Sequence, residues 1–233
     1  MSTRLRLAMY PIPEPERLDT SLRYTDILFG FVIRELFLRL QNWSQLDSVV
    51  RWHLIAGTIL VLGSWIGYRR SLNRSGYQVK FFNLPIFRFL VDQMMLILYF
   101  RIAVLTNVDG TKPLDARPLS TNTIELVTYV FVLYVIWDLL GMWMVKAKTS
   151  AGADQKSKPK YPLLKDGKMT EEQQRADWVG LSISFVTLAI FVVVRLSINW
   201  FSPRFLLLVT TTLLLGYRWA KETRTSWRLL QPA

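Results

Sequence analysis

The sequence contains no cysteine and a single histidine, His53. The absence of cysteine excludes disulfides, thiol nucleophiles and thiolate metal sites, and one histidine cannot build a histidine-rich metal centre. We therefore expect no metal, no cofactor and no catalytic residue, and we do not expect an enzyme. His53 lies next to Trp52. We interpret it as an ordinary anchoring residue near the end of a helix.

Several other signals are also missing. No apolar segment followed by small residues opens the chain, so we expect no cleavable signal peptide. No run of alternating polar and apolar residues indicates strands, which argues against a β-barrel. No glycine-rich phosphate loop is present, and no soluble stretch is large enough to bind a nucleotide.

The sequence does contain long continuous apolar blocks, and 51% of its 233 residues are hydrophobic. Each block approaches the roughly 20 residues that an α-helix needs to cross the hydrocarbon core of a bilayer. The blocks occupy 24–40, 52–68, 87–105, 124–145, 179–200 and 205–219. The predicted fold class is therefore all-α, a polytopic membrane protein with about six transmembrane helices.

The formal net charge of +12 indicates orientation rather than nucleic-acid binding, because the positive residues are segregated. Most of the 29 Lys and Arg residues fall in the N-terminal arm, the second and fourth connections and the C-terminal tail. Cytoplasmic loops of membrane proteins carry such an excess. Both termini are therefore predicted to be cytoplasmic. A five-helix or seven-helix topology would break the alternation.

We expect the protein to lie in a bacterial inner membrane, and this topology divides the chain into five segments. They are a cytoplasmic arm (1–23), helices one to four (24–145), a basic cytoplasmic loop (146–177), helices five and six (178–220) and a cytoplasmic tail (221–233). The basic loop is either a solvated linker or a patch that binds anionic lipid or a cytosolic protein. Near its end Thr170 precedes Gln173 at capping spacing, which predicts a helix leading into the fifth span.

Charged residues inside the predicted helices are costly in a membrane, and each needs a physical reason. Glu35 and Arg39 are four residues apart and can form an ion pair along one helix, as can Arg88 and Asp92. The predicted intramembrane charge network contains Arg88, Asp92, Asp138 and Arg195. Such charges either line a water-filled path or form dry pairs between helices, and the sequence leaves both alternatives open.

The sequence predicts specific roles for two further carboxylates, a helix cap and an ion pair. Glu125 follows Asn122 at the spacing of a capping box, so we expect it to cap the start of the fourth helix. Asp138 lies well inside the fourth block, and its expected partner is Arg34 or Arg88 on another helix. A dry network would join Arg34 to Asp138 while Glu35 pairs with Arg39.

The first helix opens with Tyr24-Thr25-Asp26 and continues to Phe29, Gly30 and Phe31. This segment resembles the Phe-Ser-Asp signature at the start of the first helix in the transmembrane protein 175 type of potassium channel. A second match is the segment 63–68, Gly-Ser-Trp-Ile-Gly-Tyr. The resemblance implies a six-helix chain that assembles as a tetramer and conducts potassium.

The resemblance also implies that the first helix lines the pore, where the large apolar residue five positions after the aspartate forms the constriction. That residue is Phe31 here, and hydrophobic constrictions can gate a pore. We expect Arg34 and Glu35 to set the ion preference, with Arg34 repelling cations. The predicted pore-lining residues are Asp26, Ile27, Phe31, Arg34, Glu35 and Leu38.

Two classes of function follow from these observations. The first is an oligomeric ion channel or pore whose first helix lines the conducting path, and the resemblance implies that the ion is a cation, potassium. The second is a non-conducting membrane component, which would be an assembly subunit, a sensor or a membrane effector of a bacterial defence system acting with a cytosolic partner. In both classes the bilayer and further copies of the chain are the expected partners, and nucleic acid is not.

Overall fold

The computed structural model describes residues 20–75, 84–106, 115–151 and 171–229, and these residues form six α-helices without any β-strand among them. The helices are α1 (Thr20–Leu40), α2 (Ser48–Ser75), α3 (Leu84–Val104), α4 (Ala116–Ala151), α5 (Glu171–Leu196) and α6 (Pro203–Leu229). Short 3₁₀ turns, Trp43–Gln45 and Ile198–Trp200, precede α2 and α6. The all-α prediction is confirmed, and each apolar block overlaps one helix.

The helices extend beyond several of the predicted blocks, because polar residues can continue a helix that apolar residues begin. α5 begins at Glu171, where the capping spacing predicted a helix, and α6 continues to Leu229 into the predicted tail. Of the predicted basic loop, 152–170 lies outside the described residues. So does 1–19 of the predicted N-terminal arm.

α2 and α4 form the centre of the bundle. α2 contacts α1, α3, α4 and α6, and α4 contacts α2, α3, α5 and α6. α1 packs at one edge against α2 and α3, whereas α5 packs at another edge against α4 and α6. A helix with neighbours on several sides can hold polar groups away from lipid, so the two central helices are where buried polar side chains are expected.

Consecutive helices run antiparallel, as contacts between their ends establish. Asp26 near the start of α1 binds Arg69 late in α2, and Arg39 at the end of α1 binds the Thr106 carbonyl just after α3. Arg117 at the start of α4 binds the Ile198 carbonyl after α5. We call the end that contains the start of α1 and the last turns of α6 the terminal end, and the opposite one the far end.

An aromatic cluster fixes α4, α5 and α6 to one another. The Phe131 ring stacks on Phe191 with centroids 4.9 Å apart and meets the edges of Tyr134 and Tyr217 at 5.2 and 4.8 Å. Aromatic pairs at these separations stabilise a fold beyond the area that they bury. Because lipid is as apolar as the core, such close packing is a main source of helix association in a membrane.

Within the described residues, three helical segments are long and apolar enough to cross a membrane, fewer than the six predicted. They are Ser48–Arg69 in α2, Ala116–Trp143 in α4 and Trp178–Leu196 in α5. α1 and α3 are of similar length but carry charged side chains in mid-helix, and α6 carries three consecutive threonines and then Arg218. Charged and polar side chains, rather than length, set these three helices apart, since α3 is otherwise apolar.

Candidate functional site

α1 buries one side against its neighbours and leaves the other side exposed. The buried side carries, at helical spacing, Thr25, Phe29, Val32, Leu36 and Arg39. The exposed side carries Tyr24, Ile27, Phe31, Arg34 and Phe37. We call this exposed side the α1 face. Of the residues predicted to line a pore, Ile27, Phe31 and Arg34 lie on the α1 face, and Leu38 is half-buried.

Two arginines share Glu35 but differ in their surroundings. Glu35 Oε2 accepts a 2.8 Å bond from Arg39 Nη1, and Glu35 Oε1 lies 3.3 Å from Arg34 Nη1. The Arg39 side chain is 7% exposed and also donates to the carbonyl of Thr106 over 2.8 Å. The Arg34 side chain is 65% exposed and Glu35 is 20% exposed. The expected pair of Glu35 with Arg39 is therefore present, and Arg34 is its exposed neighbour.

Asp26 is turned toward α2 rather than onto the α1 face. One of its carboxylate oxygens accepts a 3.2 Å bond from the Trp65 indole, and the other lies 3.1 Å from the Arg69 guanidinium. A carboxylate bound twice by a neighbouring helix joins α1 to α2. This arrangement places Asp26 at the helix contact near the terminal end.

The prediction that Asp138 pairs with Arg34 or Arg88 was wrong. Asp138 Oδ2 accepts bonds from Lys221 Nζ at 2.9 Å and from Ser184 Oγ at 2.6 Å, so the carboxylate joins α4 to α6 and α5. Lys221 was assigned to a tail. Because α6 continues past the predicted span, Lys221 lies one turn after Arg218 and reaches into the bundle.

The prediction that Glu125 caps the start of the fourth helix was also wrong. α4 begins at Ala116, so Glu125 lies well inside the helix. Its Oε1 accepts a 2.9 Å bond from Arg195 at the end of α5 and a 2.7 Å bond from the Tyr129 hydroxyl. Arg195 thus joins α5 to α4 near the far end.

Arg88 and Asp92 lie buried on the same side of α3, as their spacing predicted. The Arg88 guanidinium lies 3.9 Å from the centroid of the Trp137 ring on α4. A cation over the face of an indole ring is attracted by the ring electrons, most strongly where water is excluded. The predicted network is thus resolved into separate links: Arg88 to α4, Asp138 to α5 and α6, and Arg195 to Glu125.

The sequence suggested that His53 anchors its helix at a surface, but the His53 side chain is fully buried. Its Nδ1 lies 2.8 Å from the Thr123 hydroxyl on α4, and its Nε2 lies 3.0 Å from the Ile102 carbonyl on α3. A buried imidazole with both nitrogens bonded is a structural link. It joins α2 to α3 and α4 near the far end.

A buried hydroxyl chain crosses the middle of the bundle. Ser64 on α2 bonds the Tyr134 hydroxyl on α4, which lies 3.0 Å from the Tyr99 hydroxyl on α3. Arg218 on α6 donates to Ser64 Oγ over 3.1 Å. Polar groups in an apolar interior are costly unless bonded, so this chain fixes four helices in one arrangement.

Arg218 fits between α6 and α2 because two glycines leave room for it. A Cβ at Gly63 would overlap the Arg218 guanidinium, and one at Gly67 would lie 3.0 Å from its Nη1. Small residues four apart commonly let a second helix backbone approach. Here they accommodate a guanidinium, so the segment 63–68 serves the contact with α6.

Sequence reasoning missed the contributions of Arg218 and Lys221, which it counted only as cytoplasmic charge. The spacing of the two residues, three apart on one helix, and the glycine pair on α2 were the available signals. Nothing in the sequence assigns Ser64 to Tyr134 or Glu125 to Arg195, because each pair is separated by 70 residues.

Comparisons of the chain with protein families, with curated proteins and with solved structures found no match.

The first prediction separates the two arginines that bind Glu35. Arg39→Gln should lower the free energy of unfolding by about 3 kcal/mol, because it removes a buried cation from both Glu35 and the Thr106 carbonyl. Arg34→Gln should change it by less than about 1 kcal/mol, since exposed ion pairs contribute little and Glu35 keeps Arg39. Unfolding in mixed micelles titrated with sodium dodecyl sulfate measures both. Equal losses for the two variants would contradict this division.

The second prediction concerns the glycine groove. Gly63→Ala should lower the free energy of unfolding by about 1 kcal/mol, because losing the charge-assisted bond to Ser64 outweighs the helix propensity that alanine adds. Gly141→Ala is the matched control, since a Cβ there meets nothing within 4 Å. In an Arg218→Leu background the loss at Gly63 should disappear. If Gly63→Ala and Gly141→Ala behave alike in the same titration, the groove does not hold Arg218.

Proposed function

We propose that this chain is the subunit of an oligomeric ion channel, favoured as a tetramer, that crosses a bacterial inner membrane six times and lines its conducting path with α1. The observation that carries the proposal is the α1 face, where an exposed guanidinium, Arg34, lies among apolar side chains in mid-helix. A single chain leaves this face without a neighbouring helix.

Six membrane spans are supported by how α1, α3 and α6 pack and by where their charged side chains lie. α1 packs beside α2 and α3, α3 packs beside α2 and α4, and α6 packs beside α2 and α4. α1 alone is about 32 Å long at 1.5 Å per residue. Most of their charges are turned inward, as Arg39, Arg88 and Arg218 illustrate. A helix whose charges are bonded inside the bundle can present apolar side chains to lipid.

Exposed tryptophans at both ends of the bundle also support this embedding. Trp143, Trp178 and Trp219 are exposed toward the terminal end, and Trp43 and Trp200 are exposed toward the far end. Tryptophan is enriched at the two membrane–water interfaces, where its ring suits the headgroup region. The excess of Lys and Arg toward the terminal end favours the cytoplasm for that side.

Arg34 is the reason for placing α1 at an oligomer axis rather than against lipid. The nearer end of α1, at Leu40, is about 9 Å away along the helix. Side chains on a helix lean toward its N-terminus, so Arg34 leans away from that nearer end. A guanidinium at this depth against hydrocarbon costs about 3 kcal/mol or more, whereas water in a path between subunits would solvate it.

Around such an axis the α1 helices would bring Ile27, Phe31 and Arg34 to the path. Phe31 would form the narrowest point, as the resemblance of the first helix implies, and a ring of phenyl groups can close a pore by excluding water. Arg34 lies one turn beyond this constriction. Asp26 and Glu35 are held toward neighbouring side chains and contribute less to the path.

The third prediction tests the topology. The chain has no cysteine, so cysteines introduced singly report without background. Ser150→Cys near the end of α4 and Asn199→Cys between α5 and α6 should react with a membrane-impermeant maleimide from opposite sides, and only Ser150→Cys from the cytoplasmic side. Labelling of both variants from one side would overturn the six-span topology.

The fourth prediction tests the path. Phe31→Ala should raise ion flux through purified protein in liposomes by at least about twofold, because it removes the constriction. Phe185→Ala is the matched control, since the two rings are 56% and 61% exposed but Phe185 lies on α5, at another edge of the bundle. Phe185→Ala should leave flux unchanged.

Mass measurement of the same preparations in lipid accompanies the flux assay and should show four chains. A monomer would remove the basis for a shared path. An intact oligomer without flux for any ion, in the parent protein and in Phe31→Ala, would favour the non-conducting alternative of an assembly subunit, sensor or membrane effector.

A further inference from the structure

We propose that the ions conducted along the α1 face are anions and that Arg34 selects them. The inference rests on the proposed function, because it assigns the ion class of the same path. It departs from the potassium conduction that the resemblance of the first helix implies. Three features of the structure support it: the charge balance around Glu35, the anchoring of Arg39, and the position of the next carboxylate on α1.

The charge balance around Glu35 leaves one positive charge facing outward. Arg34, Glu35 and Arg39 together carry a net charge of +1. The member that is 65% exposed is Arg34, whereas Glu35 is 20% exposed and Arg39 is 7% exposed. Glu35 is shared by the two arginines and is bound more closely by Arg39, at 2.8 Å, than by Arg34, at 3.3 Å, so the uncompensated positive charge of the three lies on the exposed side. Ions passing the α1 face would therefore meet a positive group first.

The anchoring of Arg39 keeps Glu35 from turning outward. Arg39 Nε donates to the Thr106 carbonyl, and its Nη1 donates to both the carbonyl and the Oε2 atom of Glu35, each over 2.8 Å. Thr106 follows the C-terminus of α3, where unsatisfied carbonyls favour a cation. Because Arg39 is fixed in this way and binds the Glu35 carboxylate, that carboxylate is not available to form a cation site on the α1 face.

The next carboxylate on α1 is too far away to offset Arg34. Asp26 is eight residues earlier, about 12 Å along the helix. It is bonded to Trp65 and Arg69 on α2. In an oligomer each subunit would add one Arg34 at the same depth, and rings of basic side chains favour anions in known pores.

The test is the reversal potential of the reconstituted full-length protein under a tenfold gradient of potassium chloride. The parent protein should reverse near the chloride equilibrium potential. Arg34→Lys should keep this preference, Arg34→Gln should lower the chloride-to-potassium permeability ratio by about tenfold, and Arg34→Glu should favour potassium. Arg101→Gln, which removes an exposed arginine at the end of α3, is the matched control and should leave the ratio unchanged.

A second measurement avoids any effect of the substitution on folding. Arg34→Cys can be assembled first and then modified with a cationic or an anionic thiosulfonate reagent, because the chain has no other cysteine. The cationic reagent should restore anion preference and the anionic reagent should reverse it.

The outcomes separate the two proposals. Conduction that favours potassium in the parent protein, or a permeability ratio that is the same after both reagents, would overturn anion selection and leave the pore assignment standing. Absence of conduction by the intact parent oligomer would overturn the pore itself.

Discussion

The constraint on which this structure depends is that a charged or polar group inside an apolar bundle needs a bonding partner, and the partners that hold this bundle together lie on other helices. Each helix brings at least one such group, and the partners are distributed so that every helix is joined to another. Arg39 holds α1 to the end of α3, and Arg218 holds α6 to α2. Apolar packing against lipid-like neighbours does not by itself specify which helix lies beside which, so these bonds specify the arrangement.

The bonds are concentrated on the two central helices, and this explains why α2 and α4 tolerate so much polarity. His53 and Ser64 on α2 face Thr123 and Tyr134 on α4, with donors or acceptors from α3 and α6 completing each group. The same helices are apolar enough to cross a membrane. Their polar side chains are inside the bundle, and their apolar side chains can meet lipid. α1 differs because its exposed side carries a guanidinium, Arg34, in mid-helix rather than near a helix end, and that difference motivates both proposals.

Much of the fold could be predicted from the sequence because helix formation and apolar block length are local properties. The six blocks coincide with six helices, and the pairing of Glu35 with Arg39 follows from their spacing of four. Partners on different helices could not be predicted in this way. Asp138 binds Lys221 rather than Arg34 or Arg88, because α6 continues further than its apolar block and brings Lys221 beside α4. Glu125 failed as a cap because α4 begins earlier than its apolar block does.

The sequence by itself determined the helices, their number and the segregation of positive charge, since each depends on residues close together along the chain. Only the tertiary structure decided which charges are buried and which are exposed, because that depends on which sides of the helices meet. Arg34 and Arg39 lie on the same helix, five residues apart, and composition cannot distinguish them. The packing of α1 against α2 and α3 buries Arg39 beside the Thr106 carbonyl and leaves Arg34 outside.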